Sequence, residues 1–338
     1  MSTDEPQVFH VDEQQADSTL ASALRGWLPG ESWSAIKRLV RNRHVMLNGN
    51  LCINAERRLK PGEVVKLMPH SLAPPPTEKD VRIVFFDKHV VVVDKPSGVT
   101  TTRHHEEKNW SPRRKQHQPT LDEMLPGILS KIERGKQAKK RPGRAAGKNA
   151  APTRKPVTAV HRIDRETSGL LVFARNVPAA RHLIAQFREH STHRKYLALA
   201  VGDVPQRRIE SFLIRDRGDG RRGSAMTSDV GKQAITHVTP VESIGDGFTL
   251  IECQLETGRT HQIRIHLAEI GHPLCGEKVY NRPLRGKPQT DPSGARRVAL
   301  HAAELGFVHP ASEETMLFDS PLPDDFKQLL RRLRQRRG

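Results

Sequence analysis

The sequence predicts an α+β protein in two parts, a small basic front unit and a larger unit behind it. Three observations carry this expectation. The chain has 338 residues, and a domain takes roughly 100–200. Three successive prolines at 74–76 favour a stiff, extended spacer. Behind them, short runs of β-branched residues alternate with segments of helical spacing. Periodicity by itself yields strands alternating with helices; it does not say how the strands pair.

Residues 1–15, MSTDEPQVFHVDEQQ, are acidic and polar. They read as a loose tail, neither a secretory signal nor an Arg-rich transit peptide. The front unit spans 16–69. Its clearest element is an amphipathic helix from Trp33, with Ile36, Leu39 and Val40 on one side and Lys37, Arg38 and Arg41 on the other. Residues 45–47, the turn pair Asn48-Gly49 and residues 51–53 form a hairpin signal. Residues 59–67 give a turn and a closing strand, and 70–80 are the proline-rich linker.

The runs 83–86 and 90–93 flank Asp87-Lys88-His89, a second hairpin signal, and 94–98 force a turn. The region 103–157 breaks the pattern. Only 119–126 and the following ILSKI look helical, and 135–156 carries eight Lys/Arg with no acidic residue. Such composition cannot bury enough apolar area to offset its ordering entropy. The region is therefore expected to be a disordered basic insertion, either embracing RNA or serving as a passive loop.

Residues 170–174 read as a buried strand, and Asn176 and Pro178 suit a helix start. Ala180, Leu183, Ile184 and Phe187 supply one apolar helix face. Residues 195–202 and 248–255 are further strands. A helix from His261 to Ile270 is expected, capped by Thr260 and closed by Gly271. Ile263, Leu267 and Ile270 would line its buried side, with Arg264 turned inward toward a carboxylate. The main domain runs over 81–326, and 327–338, with six Lys/Arg in twelve residues, is a basic helix or tail.

Composition narrows the function. Lys+Arg total 56 against 38 Asp+Glu, a formal charge of +18. That surplus points to a polyanion, since basic surfaces gain affinity by releasing counterions from phosphates. Aromatics are 4% of residues, too few for a broad stacking platform. Three cysteines without CxxC spacing argue against a disulfide framework and for a reducing, cytoplasmic setting. No stretch approaches a membrane span. Among 17 histidines, none has zinc-site spacing: His261 and His266, five apart, diverge on a helix. No metal is expected; His161 and His261 are expected to brace loops.

The densest stretch is AVHRIDRETSGLLVFA, residues 159–174, in which Asp164 lies between Arg162 and Arg165 on a loop feeding a strand. Further dense stretches are Val-Asp-Lys-Pro-Ser-Gly (93–98), Arg-Lys-Tyr-Leu-Ala (194–198), Thr-Gly-Arg-Thr-His-Gln-Ile-Arg-Ile-His (257–266), Gly-His-Pro-Leu-Cys-Gly-Glu-Lys-Val-Tyr (271–280) and Leu-His-Ala (300–302). In order and spacing these resemble the RluA family of RNA pseudouridine synthases over most of 80–325. The front unit resembles the small RNA-binding domain of a ribosomal protein, although the usual Arg-Leu-Asp opening reads Asp17-Ser18-Thr19-Leu20.

The resemblance implies a mixed, mainly antiparallel central sheet flanked by helices. It implies conversion of uridine to pseudouridine in structured RNA, chiefly large-subunit (23S-type) ribosomal RNA or pre-ribosomal particles, without a cofactor. The catalytic aspartate falls on Asp164, as nucleophile toward the sugar or as base at the ribose. Arg264 is its implied charge partner in a bidentate pair. Tyr196 stacks on an everted uracil. Arg162, Lys95 and Arg259, with Lys37, Arg38 and Arg41 in front, are the expected RNA contacts, while Arg165 and Glu166 are left to solvent. The expected protein is a monomer. A non-catalytic ribosome-assembly factor, a tRNA-directed synthase and a glycosidase acting on free nucleosides are the competing readings. By itself, a lone Tyr in a strand is usually core, and a lone buried Asp–Arg pair is usually structural.

Overall fold

The structure is a computed structural model. It describes residues 6–48, 50–72, 76–103, 107, 109–111, 115, 118–140, 155–217, 221–225, 230–245, 247–283 and 286–336. The chain divides into two compact units, Met1–Pro75 and Pro76–Gly338.

The front unit contains β1 (Gln7–His10), α1 (Leu20–Trp27), α2 (Trp33–Arg41), β2 (Val45–Leu47), β3 (Asn50–Leu51) and β4 (Val64–Leu67). Its sheet runs β1-β4-β2-β3, all antiparallel. Thr19 and Ser32 cap the two helices, their hydroxyls accepting from the backbone N–H of Ser22 and Ala35. Leu20, Leu24, Ile36, Val40, Val45, Leu59 and Val65 close the core. The missing family opening therefore does not cost the first helix.

Two expectations for this unit change. Residues 7–10 are no loose tail: they pair with β4, Phe9 stacks on Trp27 at 4.8 Å, and Val11 is buried. The open edge of β4 and the apolar flank of α1 recruit Phe9 and Val11 out of a stretch that is polar overall. The linker also starts later than 70. Leu72 N–H donates to Arg43 O and Ser71 Oγ to Asn42 O, so both residues belong to the front unit. Residues 1–5, Gly49 of the hairpin turn, and 73–75 of the linker lie outside the described residues.

The second unit contains β5 (Arg82–Phe86), β6 (Val90–Lys95), α3 (Leu121–Lys140), β7 (Thr158–Ala159), β8 (Ser168–Ala174), α4 (Val177–Arg188), β9 (His193–Val201), β10 (Arg207–Ile214), β11 (Gly223–Ser224), β12 (Lys232–Ile244), β13 (Phe248–Leu255), α5 (Gln262–Glu269), β14 (Leu300–Val308), β15 (Thr315–Asp319) and α6 (Asp324–Arg334). Its 11-stranded sheet runs β11-β10-β12-β13-β9-β14-β8-β6-β5, with β15 on β14 and β7 on β8. Among the described strands only β8 and β14 pair in parallel, so the sheet is mixed and mainly antiparallel.

Alternation along β6 and β8 separates two cores. Val91, Val93, Leu171 and Phe173 pack with Leu121 and Leu125 of α3 and with Ile263 and Leu267 of α5. Val90, Val92, Leu170 and Val172 pack with Ala180 and Leu183 of α4. Covered on both faces, β8 reads as an unbroken apolar run. Gly169 precedes that run for a steric reason. Its φ is +111°, and a Cβ there would lie 2.2 Å from Ala302 O on the parallel neighbour.

Four expectations here are corrected or narrowed. The basic insertion is not disordered throughout: the helix expected from 119–126 and ILSKI forms as α3, burying Leu121, Met124, Leu125, Ile128 and Leu129, and it continues to Lys140, into the stretch expected to be disordered; residues 141–154 lie outside the described residues. Of the two alternatives for the C-terminal stretch, helix or tail, residues 327–334 take the helix: they are most of α6, which buries Phe326, Leu329, Leu330 and Leu333, while Arg332 and Arg334 bond to Ser293 O and Glu242. Asn176 caps α4 as expected, yet Ile184 is 45% exposed. Finally, His261 rather than Thr260 is the N-cap of α5, in a left-handed conformation with φ 61°. Among the described residues no helix is long and apolar enough to cross a membrane.

Candidate active site

Asp164 lies on the loop between β7 and β8, and its side chain is 18% exposed. The carbonyls on either side of it are held by the segment that follows β6. Thr101 Oγ1 donates to Ile163 O at 2.9 Å. Gly98 N–H and Lys95 Nζ donate to Arg165 O at 2.7 and 3.1 Å. The 93–98 motif thus acts as a brace for the loop.

This overturns Lys95 as an RNA contact. Lys95 is 0% exposed, and its Nζ also donates to Pro96 O and Val99 O. Burial pushes its pKa down to about 7, with the charge of Asp164 opposing. Nor are Arg165 and Glu166 simply solvated. Arg165 Nε donates to Gly98 O, and Glu166 accepts from Val298 N–H.

The partner side of the site comes from α5 and the turn beyond it. Arg264 Nη1 reaches Asp164 Oδ2 at 3.4 Å. The expected bidentate Asp164–Arg264 pair is not formed. Arg264 instead donates Nε and Nη2 to Glu277 at 2.7 and 2.8 Å, and the Glu277 side chain is 1% exposed. A guanidinium between two carboxylates aligns with the one from which water is more fully excluded. Burial lowers the Arg264 pKa, but Glu277's hydrogen bonds and charge raise it further, so the net shift is upward. Glu277 also accepts from the backbone N–H of Val279 and Tyr280.

His261 places Nε2 3.7 Å from Asp164 Oδ1, and its Nδ1 lies 2.7 Å from Tyr280 Oη. The Tyr280 ring stands 5.2 Å from the Arg264 guanidinium carbon. Tyr196, on β9 opposite Cys253 and Ala302, is buried in the same apolar cluster as Ile163 and Ile263, the chain neighbours of Asp164 and Arg264. Burial pushes its hydroxyl up to about 12, Arg194 pulling the other way and Asp164 adding to the rise. His161 braces the loop: Val172 N–H donates to Nε2 at 3.0 Å and the ring stacks on Phe187.

The structure therefore gathers Asp164, Arg264 and Tyr196 into one site and places Arg162, which is exposed, at its rim. Arg259 is half-buried at the turn before α5, its Nε on Gln233 O. Lys37, Arg38 and Arg41 are exposed on α2, in the front unit. Glu277 and Tyr280 were missed as site residues. Their stretch, 271–280, stood out in the sequence, but no spacing rule ties a glutamate to an arginine thirteen positions earlier. Among the described residues no group of three His, Cys, Asp or Glu could hold a metal ion.

The family model for RNA pseudouridylate synthase matches residues 89–269. "Ribosomal large subunit pseudouridine synthase D" of Zymomonas mobilis is 34% identical over 93% of this chain and 96% of that protein. "Ribosomal large subunit pseudouridine synthase C" of Vibrio cholerae is 30% identical over 97% of each. Among solved structures, "Human RNA Pseudouridylate Synthase Domain Containing 4" superposes with a TM-score of 0.53 at 25% identity, covering 75% of this chain and 93% of that one.

Proposed function

Since the chain belongs to the RNA pseudouridylate synthase family and is an RNA pseudouridine synthase, we propose that its substrate is large-subunit ribosomal RNA and that Asp164 carries the chemistry. Relatives along nearly the whole chain are named for the ribosomal large subunit, which supports the substrate class. In the reaction the N1–C1′ bond of uridine breaks and a C5–C1′ bond forms. C5 gives up a proton and N1 gains one, so no cofactor is consumed.

The observation that carries the assignment is the setting of Asp164: Arg264 faces one carboxylate oxygen and His261 the other, with Tyr196 close by. An ionised carboxylate there acts on the ribose. A stacked uridine cannot reach a recessed carboxyl, so the nucleotide is everted into the site. Tyr196 receives the uracil, a stacking contact worth about 1–3 kcal/mol. Its pKa near 12 keeps the hydroxyl protonated at neutral pH, a donor rather than a base. Arg162, exposed at the rim, contacts phosphate or fills the gap left by the everted base. Lys37, Arg38 and Arg41 hold phosphates through the front unit.

The test uses unmodified large-subunit rRNA and unmodified tRNA, with pseudouridine mapped by carbodiimide-dependent primer-extension stops. The parent enzyme is expected to create stops in the rRNA alone, and Asp164→Ala to bind the rRNA normally and create none. Stops made by Asp164→Ala would remove that residue from the chemistry. Stops in tRNA alone would move the substrate class.

A further inference from the structure

Asp164 has two oxygens, and Arg264 accounts for one. The other faces the imidazole of His261, with Nε2 3.7 Å from Oδ1. That exceeds a hydrogen bond, but a small rotation of the carboxylate closes it, and contacts of this kind tighten when substrate binds. Two features show that the imidazole is held there. His261 keeps φ 61°, a conformation that non-glycine residues avoid and that persists where the surroundings impose it. Behind it, Tyr280 Oη lies 2.7 Å from Nδ1, and Tyr280 is itself fixed by its backbone N–H donating to Glu277.

The charge pattern selects a tautomer. A lone pair on Nε2 would point at a carboxylate oxygen, whereas an N–H there is attracted to it. With the proton on Nε2, Nδ1 is an acceptor, and the phenol O–H of Tyr280 donates to it. Burial lowers the affinity of the ring for a second proton, so the neutral form is the working one.

We propose that His261 is a positioning residue for Asp164: its Nε2–H holds Oδ1 while Arg264 holds Oδ2, and Tyr280 sets the tautomer from behind. The proposal rests on the assignment of Asp164 made above. The pair of donors fixes the plane of the carboxylate as well as its place. Glu277 links the two sides, taking both strong bonds of Arg264 and the backbone N–H of Tyr280.

The experiment is chemical rescue in the full-length enzyme with unmodified rRNA. His261→Gly suits the backbone, because glycine adopts φ 61° without strain. Its RNA affinity is expected to stay within twofold of the parent, while kcat falls at least tenfold. At about pH 9, where both azoles are neutral, added imidazole restores kcat; neutral 1-methylimidazole, which accepts but cannot donate an N–H, does not. In a companion cycle, Tyr280→Phe lowers kcat in the parent and has no further effect in His261→Gly. Equal restoration by both azoles overturns the proposal. So does parental kcat in His261→Gly, or the same Tyr280→Phe loss in both backgrounds. Asp164→Ala is run alongside. Turnover by that variant overturns the Asp164 assignment, whereas an inactive Asp164→Ala with any of the three contrary results overturns the role of His261 alone.

Discussion

Replacing Glu277 by alanine should unfold the second unit more readily and slow the enzyme at once. The glutamate side chain is 1% exposed and accepts four hydrogen bonds, two from Arg264 and one each from the backbone of Val279 and Tyr280. Its removal leaves the partly buried Asp164 contact at 3.4 Å as the remaining carboxylate bond of a buried guanidinium. Removing one member of a buried ion pair costs about 3–5 kcal/mol, because the other charge stays desolvated. With a urea m-value of about 3 kcal/mol/M, a 4 kcal/mol loss moves the midpoint by about 1.3 M. The chain carries its own reporters for the two units: Cys52 is buried in the front unit, and Cys253 and Cys275 are buried in the second. Thiol labelling across a urea series should show Cys253 and Cys275 reacting earlier in Glu277→Ala, with Cys52 unmoved. Glu277→Gln keeps the shape and part of the accepting capacity, and should shift the midpoint about half as far. Turnover should fall as well. An unaligned Arg264 forfeits a charge-assisted bond to Asp164 worth about 1.5–3 kcal/mol, which is roughly 10–150-fold in kcat. A midpoint shift below about 0.3 M for Glu277→Ala would refute the idea that this carboxylate anchors the site.

Lys95→Met should cost the second unit about 3 kcal/mol by removing three bonds from a buried ammonium. RNA affinity in a filter-binding assay should not change, and a weaker Kd would restore Lys95 as an RNA contact. Acid should destabilise the second unit through His266, which is 0% exposed, lies between the hydroxyls of Ser211 and Thr236, and has its pKa pushed down by burial to about 4. Its folded pKa lies below the unfolded 6.5, so its contribution is complete above pH 6.5 and is lost as pH falls toward 4. The loss is about 2 kcal/mol between pH 6.5 and 5, read as a falling urea midpoint; a flat midpoint over that range contradicts it. Replacing Lys37, Arg38 and Arg41 together by alanine should lower the slope of log Kd against log salt by about 2–3, with kcat at saturating RNA unchanged. An unaltered slope would take these residues out of the RNA contact.

Several features were legible without coordinates. Asp164 and Tyr196 stand in stretches whose order and spacing carry chemistry, and β8 announces itself as an unbroken apolar run. Asn176 as a helix cap and Gly271 as a helix stop follow from local backbone preference. These are short-range properties, set by a few neighbouring residues. Even α3 and α6 were present as apolar residues at helical spacing. What averaging over a long basic window hid is the last part of α3, up to Lys140, because net charge says nothing about which side of a helix bears it.

Other features depended on the folded chain. β1 is a four-residue strand inside a stretch that is acidic and polar overall, and it forms where β4 offers an open edge. Lys95 looks like any cation in the sequence; three carbonyls and a closed core made it a brace. Arg264 was visible as a partner for a carboxylate, but two carboxylates compete for it. The winner is the one more fully withdrawn from water, since an ion pair strengthens as the local dielectric falls. The sequence by itself determined which chemical groups this protein owns and most of its local elements. The tertiary structure decided which charges lose their water, and therefore which of them pair.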